Sequence, residues 1–247
     1  MRLLVPGSSG LTPLVELDDA LLYAAYAPAR SPWLRCNMVT SLDGSATGGD
    51  GRSGSINDPA DHVVFEVLRA SADAIVVGAG TVRAESYPPL SVAASLLALR
   101  RGHDLDDALP LVVVSNRGAV PPTVAGHSDG SVLLAVPERS DGLDAARASL
   151  GDEHVIVCGA DEVDLRILVE QLHDRGLTRL LTEGGPGLLG SFLAAGLVDE
   201  LCFTVAPRVV GGDHPRPVGV AGVPIELELA LLVEQDGTLM GRWLTRR

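Results

Sequence analysis

Short apolar runs alternate with amphipathic stretches along most of the chain, and that alternation predicts its fold class. Residues 33–40, 74–77, 111–114, 132–136, 155–157, 179–181 and 200–205 are runs of the length and composition of buried strands. Residues 141–150, 163–175 and 186–195 are helix candidates between them. Asp58-Pro59 caps and opens a further helix with Val63, Val64, Val67 and Leu68 on one face and Arg69 at its edge. Strand and helix in turn predict an α/β fold, with a mostly parallel central sheet flanked by helices on both faces. Strand-like patches around Asp236-Gly237 within 224–245 predict a closing antiparallel hairpin. Residues 1–31, with Pro6, Pro13, Pro28 and a short apolar helix candidate at 17–26, are expected to form a lead-in segment. Residues 32–247 then make up one domain, with 84–110 as an insertion.

The points where strands break into helices carry the candidate chemistry. In Leu181-Thr182-Glu183-Gly184-Gly185-Pro186-Gly187-Leu188, Pro186 is the residue type favoured at a first helical position, so a helix should open right after Gly185. Amide N–H groups at such an opening, with the positive end of the helix dipole behind them, suit a phosphate. Glu183 sits at the mouth of that seat; a plain strand-to-helix turn with Glu183 solvated is the alternative. Gly78-Ala79-Gly80-Thr81-Val82-Arg83 begins like a dinucleotide fingerprint, but Arg83 stands where the third glycine belongs, which disfavours a standard Rossmann turn. Backbone amides, the Thr81 hydroxyl and the Arg83 guanidinium could still hold phosphate, unless Thr81 is only a cap and Arg83 a surface charge.

Two such turns offer two seats for one extended phosphorylated ligand at the carboxyl edge of one sheet. Asp43, in Ser41-Leu42-Asp43-Gly44, and Glu183 would then be carboxylates facing one crevice, one binding a polar ring edge and one supplying a proton. As a residue before Gly44, Asp43 equally fits a turn. The glycine- and serine-rich segment 48–55 reads as a loop covering a ligand. Ser115-Asn116-Arg117 has the donors to hold a ribose phosphate, and a plain loop would look the same.

Composition narrows the chemistry. All 19 basic residues are arginine, which removes a Schiff-base amine, a P-loop lysine and any lysine general base. A net charge of −13 and 3% aromatic residues argue against a nucleic-acid partner. Cys36, Cys158 and Cys202 are odd in number and set in apolar runs, which reads as reduced packing residues of a cytoplasmic protein. The histidines form no HExxH motif, so no metal is expected, and no apolar run is long enough to span a membrane.

With these residues assembled, residues 32–242 resemble the pyrimidine reductases of riboflavin biosynthesis, a family with a dihydrofolate-reductase-like fold. The resemblance rests on an ordered series: Asn37-Met38-Val39-Thr40-Ser41-Leu42-Asp43-Gly44, Leu68-Arg69-Ala70, Asp73-Ala74-Ile75-Val76-Val77-Gly78-Ala79-Gly80-Thr81-Val82-Arg83-Ala84, Leu181-Thr182-Glu183-Gly184-Gly185, then Gly196-Leu197-Val198-Asp199-Glu200 through Ala206-Pro207 to Gly211-Gly212. It implies reduction of 5-amino-6-(5-phosphoribosylamino)uracil to its ribityl form with hydride from NADPH. By position it implies cofactor contacts at Thr81, Glu85, Ser115, Gly184, Gly185, Gly187 and Leu188. Substrate contacts follow at Ser53, Arg69, Leu90 and Glu183, with Asp43 in the turn beside the nicotinamide. Arg83 and Arg117 are the expected partners of a 2′-phosphate. The chain departs from the pattern at Ser55, where tryptophan is common, and at Ser91-Val92-Ala93-Ala94, which lacks the usual arginine. No zinc-deaminase signature is present, so a free-standing reductase is expected. A pterin-type reductase and a non-catalytic nucleotide-binding homologue are the alternatives. Alternating apolar strands after Leu197 suggest a homodimer surface.

Overall fold

The computed structural model describes residues 1–6, 14–28, 30–219, 222 and 224–246. Its strands are β1 (Arg2–Val5), β2 (Trp33–Ser41), β3 (Ala74–Gly78), β4 (Leu111–Val114), β5 (Val132–Val136), β6 (Val155–Val157), β7 (Arg179–Thr182), β8 (Glu200–Ala206), β9 (Leu227–Gln235) and β10 (Thr238–Thr245). Its helices are α1 (Asp19–Ala25), α2 (Pro59–Ala70), α3 (Ala79–Glu85), α4 (Leu97–Gly102), α5 (Leu143–Leu150), α6 (Leu165–Asp174) and α7 (Pro186–Ala194). The described strands form one sheet in the order β1-β9-β10-β8-β2-β7-β3-β4-β5-β6. From β8 to β6 every neighbouring pair is parallel, and β1, β9 and β10 add an antiparallel flank. The α/β class, the mostly parallel sheet and the closing hairpin at Asp236-Gly237 are as the sequence pattern predicts.

The parallel strands are buried on both faces because side chains alternate across the sheet with period two. Along β3, Ile75 and Val77 enter one core with Leu22, Val64 and Leu68, while Ala74 and Val76 enter the other with Leu172, Leu189 and Phe192. Helices α1 and α2 thus cover one face and α6 and α7 the other. Within α2, Val64, Val67 and Leu68 are buried but Val63 is exposed, so the apolar face is narrower than its composition suggests. The segment before Pro32 supplies β1, which pairs with β9, and α1, whose Leu22 packs in the core. Within 84–110, α4 carries the fully buried Arg100, whose guanidinium hydrogen-bonds the carbonyls of Ala70, Ala72, Asp106 and Ala108. Two of those carbonyls lie at the end of α2, where the helix dipole favours a cation.

This order places the carboxyl ends of β2, β7 and β3 side by side. Open parallel sheets bind their ligands at such an edge.

Candidate active site

The two glycine turns at this edge touch each other. Gly78 N–H donates to Gly184 O at 2.9 Å, and a Cβ on Gly185 would stand 2.5 Å from Thr81 Oγ1. Only a residue without a side chain fits there, and Gly184 has φ +81°, a left-handed conformation that L side chains rarely adopt. Helix α7 opens at Pro186 as its sequence predicts, and its cap residue Gly185 makes no side-chain hydrogen bond. The first-turn amides of α7 therefore have no side-chain cap of their own. Gly187 lies exposed in this turn and Leu188 packs behind it on the α6–α7 core.

Beside the joined turns lies a cavity of about 280 Å³, lined among others by Asn37, Met38, Thr47, Ser53, Asn57, Asp61, Phe65, Thr81, Glu85, Tyr87, Glu183 and Gly185. Its back wall is a buried ion pair. Arg69 Nε and Nη2 donate to the two oxygens of Glu183 at 2.7 and 2.9 Å, and the Tyr87 hydroxyl adds a third bond at 2.7 Å. The Arg69 guanidinium also stacks on Phe65, 4.0 Å from the ring centre. Burial, reinforced by the Glu183 charge, pushes the Tyr87 phenol well above its ordinary value, so it stays a donor. Glu183 thus spends its acceptors on holding the wall.

Ser53 and Glu85, read separately from the sequence as substrate and cofactor contacts, bond to each other. Ser53 N–H and Oγ donate to Glu85 Oε1 at 3.1 and 3.0 Å, which ties loop 48–55 to α3 over the cavity mouth. On the other side Arg208 donates to Ser55 O, and Ala46 N–H to Pro215 O, both at 2.7 Å.

Asp43 is placed differently from the crevice-facing carboxylate that the motif suggested. Its carboxylate accepts from Ser41 Oγ at 2.5 Å, Val210 N at 3.2 Å and Gly211 N at 2.7 Å, and it does not line the cavity. The Ser41 hydroxyl, with the two amides, holds its pKa down at about 2, so it has no proton to give at neutral pH. It locks one turn to another. Arg83 and Arg117 are exposed, and Leu90 packs against the α1–α2 core rather than the cavity. Ser115 is buried at the end of β4, with its hydroxyl 3.5 Å from Ala119 O. Asn116 Oδ1 accepts from Val163 N–H, so this segment joins two loops.

Several lining residues were not assigned a role from the sequence: Asp61, Asn57, Thr47, Phe65 and Tyr87. Asp61 had a signal, since it shares a helical stripe with the buried Val64 and Leu68, where a carboxylate is out of place. It is 2% exposed. Burial pushes its pKa up to about 6, against the opposing hydrogen bond from Thr204. A carboxyl whose pKa rises on folding stabilises the folded state below its unfolded pKa, and that stability is lost as pH climbs through the folded one. Asp61→Asn should therefore raise unfolding free energy above about pH 7 by up to about 3 kcal/mol, with the gap closing toward about pH 4. Urea denaturation at both pH values checks this; a gap that does not change with pH would contradict it.

The chain matches known proteins over most of its length. The model of the RibD C-terminal domain matches residues 32–238. A protein of Archaeoglobus fulgidus called 2,5-diamino-6-ribosylamino-4(3H)-pyrimidinone 5′-phosphate reductase is 35% identical over 186 residues, covering 74% of this chain and 84% of that one. Its namesake from Methanothermobacter thermautotrophicus is 36% identical over 190 residues, covering 75% and 82%. Among solved structures, a pyrimidine reductase-like protein from Corynebacterium diphtheriae superposes with a TM-score of 0.81 at 27% identity, over 94% of this chain and all of that one. The chain therefore belongs to the RibD C-terminal domain family of riboflavin-pathway reductases, with their dihydrofolate-reductase-like fold.

Proposed function

We propose that this protein reduces a 5-amino-6-ribosylaminopyrimidine 5′-phosphate to its ribityl form, with NADPH as the hydride source. The observation that carries the reading is the junction of the two glycine turns beside a cavity that several polar side chains line: the proposed nucleotide seat and a ring-sized pocket share one wall. Family membership supports a nicotinamide-dependent reduction, and the printed activity of the archaeal relatives supports the substrate class.

The residues fit a dinucleotide. Gly184 and Gly185 put no side chain at the approach to α7, against whose first turn Gly219 packs, and Thr81 stands 2.5 Å from where a Cβ of residue 185 would lie, so a phosphate crossing this junction could meet backbone amides and a hydroxyl together. In this assignment Gly187 and Leu188 continue the seat, Ser115 lies toward the adenosine end, and the exposed Arg83 takes a 2′-phosphate. A bound nicotinamide would supply the hydride. The protein's own contribution is orientation and exclusion of water. Glu183, Arg69 and Tyr87 hold the wall, while Ser53 and Glu85 close the mouth.

Arg69, paired with Glu183 and stacked on Phe65, is committed to the wall. We assign the substrate phosphate to the mouth, where Ser53 lies. We place the protein in the cytoplasm as a homodimer; Leu227, Leu229 and Leu239, each 37–38% exposed on β9 and β10, are the apolar face such a dimer would cover. NADPH oxidation by the purified protein, with the ribosylaminopyrimidine phosphate and dihydrofolate offered separately and NADH as a control, tests the reading. Turnover of the first with NADPH is expected, and turnover of dihydrofolate alone would replace the reading with a pterin reductase.

A further inference from the structure

At the cavity mouth a carboxylate sits where donors converge. Ser53 N–H and Ser53 Oγ both donate to one oxygen of Glu85, at 3.1 and 3.0 Å, so a backbone amide and a hydroxyl meet on a single anionic atom. Two guanidiniums flank the loops around this mouth, and among the described residues neither forms an ion pair with a carboxylate. Arg208 Nη1 donates to Ser55 O at 2.7 Å, two residues from Ser53. Arg216 Nη1 lies 3.9 Å from where a Cβ of Gly44 would stand, and its neighbour Pro215 lines the cavity and accepts from Ala46 N–H. Carboxylates of the same loops are committed elsewhere: Asp43 to Ser41 Oγ and the amides of Val210 and Gly211, Asp50 to Ser55 Oγ and Arg52 N–H. In a chain of net charge −13, two exposed arginines without a carboxylate partner beside one mouth mark a local excess of positive charge.

Resting on the reading of the cavity as the site of a ribosylaminopyrimidine phosphate, we infer that Glu85 holds the seat of the substrate's 5′-phosphate and is displaced by it, with Arg208 and Arg216 supplying the countercharge. Amide and hydroxyl donors bond a phosphate oxygen as they bond a carboxylate oxygen, and a guanidinium adds a charged fork that Glu85 does not receive here. A phosphate monoester carries about −1.5 to −2 charge and three acceptor oxygens, so it engages Ser53 and an arginine together, whereas Glu85 engages Ser53 alone. Glu85 is half-buried, so water replaces its two bonds once it swings out. A neutral riboside brings no competing anion and leaves loop 48–55 tied to α3. Glu85 thereby sets specificity for the phosphorylated compound.

The test is calorimetric binding of ribose 5-phosphate, with saturating NADP⁺ occupying the proposed cofactor seat, to the parent, Glu85→Ala and Arg208→Gln. Glu85→Ala is expected to bind at least about tenfold more tightly than the parent, since Ser53 is released and a like charge removed. Arg208→Gln, whose amide still has a donor for Ser55 O, is expected to bind at least about tenfold more weakly, with NADPH affinity unchanged. Equal affinities in the three proteins overturn the inference, as does weaker binding in Glu85→Ala, which would make Glu85 a support of the seat. A loss in Arg208→Gln that appears for NADPH and not for ribose 5-phosphate assigns the arginine to the cofactor and overturns it too. These outcomes leave the reductase reading intact. If the ribosylaminopyrimidine phosphate is not reduced, that reading fails, and the binding series still decides the phosphate seat.

Discussion

Glu183→Gln should lower kcat/KM for the ribosylaminopyrimidine phosphate by about a hundredfold or more, while NADPH affinity moves far less. The carboxylate receives three donors, two from Arg69 and one from Tyr87, and its side chain is 2% exposed. Glutamine keeps the shape but replaces one oxygen with an NH2 group, so a donor must face another donor inside the wall. Leaving a buried charged group without its partner costs about 3–5 kcal/mol, and the structure can escape that cost only by letting Arg69 swing off Phe65. Such a movement reshapes the cavity in which the proposed function has the ring and hydride donor meet, and a misplacement of about 1 Å is enough for a hundredfold loss. In the proposed assignment cofactor affinity rests on Gly184, Gly185 and Thr81, which keep their backbone geometry. Steady-state kinetics beside a fluorescence titration of NADPH separates the two effects. Unchanged turnover would remove Glu183 from the working site.

The largest expected effect on stability lies away from the cavity. Glu200→Ala should remove a large share of the unfolding free energy. Glu200 is 0% exposed and lies between two guanidiniums, 2.7 Å from Arg35 Nε and 2.9 Å from Arg242 Nε. Trp33 Nε1 and Cys202 Sγ donate to it as well. Burial alone would raise its pKa, but Arg35 and Arg242 outweigh burial and hold it below the usual carboxylate range. Arg35 reaches the carbonyl of Tyr26, and Arg242 reaches those of Ala25 and Ala27, so this one carboxylate joins β2, β8, β10 and the end of α1. Alanine would leave two buried positive charges unpaired. The loss, about 3–5 kcal/mol or more, compares with a total stability of about 5–15 kcal/mol for a domain. Circular dichroism and urea denaturation would show it. A variant that unfolds within about 1 kcal/mol of the parent would mean that the cluster contributes little.

What was legible in the chain followed distance along it. The buried strands and the helix opening at Pro186 depend on neighbours a few residues away, and they form where periodicity and cap chemistry place them. The pairing of the two glycine turns was also inferable, since strand-to-helix turns of a parallel sheet share its carboxyl edge. Roles set by remote partners were not. Asp43 looked like a free carboxylate because the amides that saturate it belong to Val210 and Gly211, more than 160 residues later. Arg69 looked available for a phosphate because Glu183 lies 114 positions away. Tyr87 stood in a stretch that read as an insertion, and nothing local aimed it at Glu183. Asp61 is the instructive case, because a carboxylate on the buried stripe of α2 breaks the local pattern, and such breaks collect at functional sites.

The measurement that tests the central claim most directly follows the hydride itself. NADPH carrying deuterium at both C4 positions of the nicotinamide is incubated with the protein and the ribosylaminopyrimidine phosphate, and the product is examined by mass spectrometry and NMR. The predicted result is one deuterium per product molecule, at C1 of the newly opened ribityl chain. Deuterium at a ring carbon, or none in the product, would contradict the account.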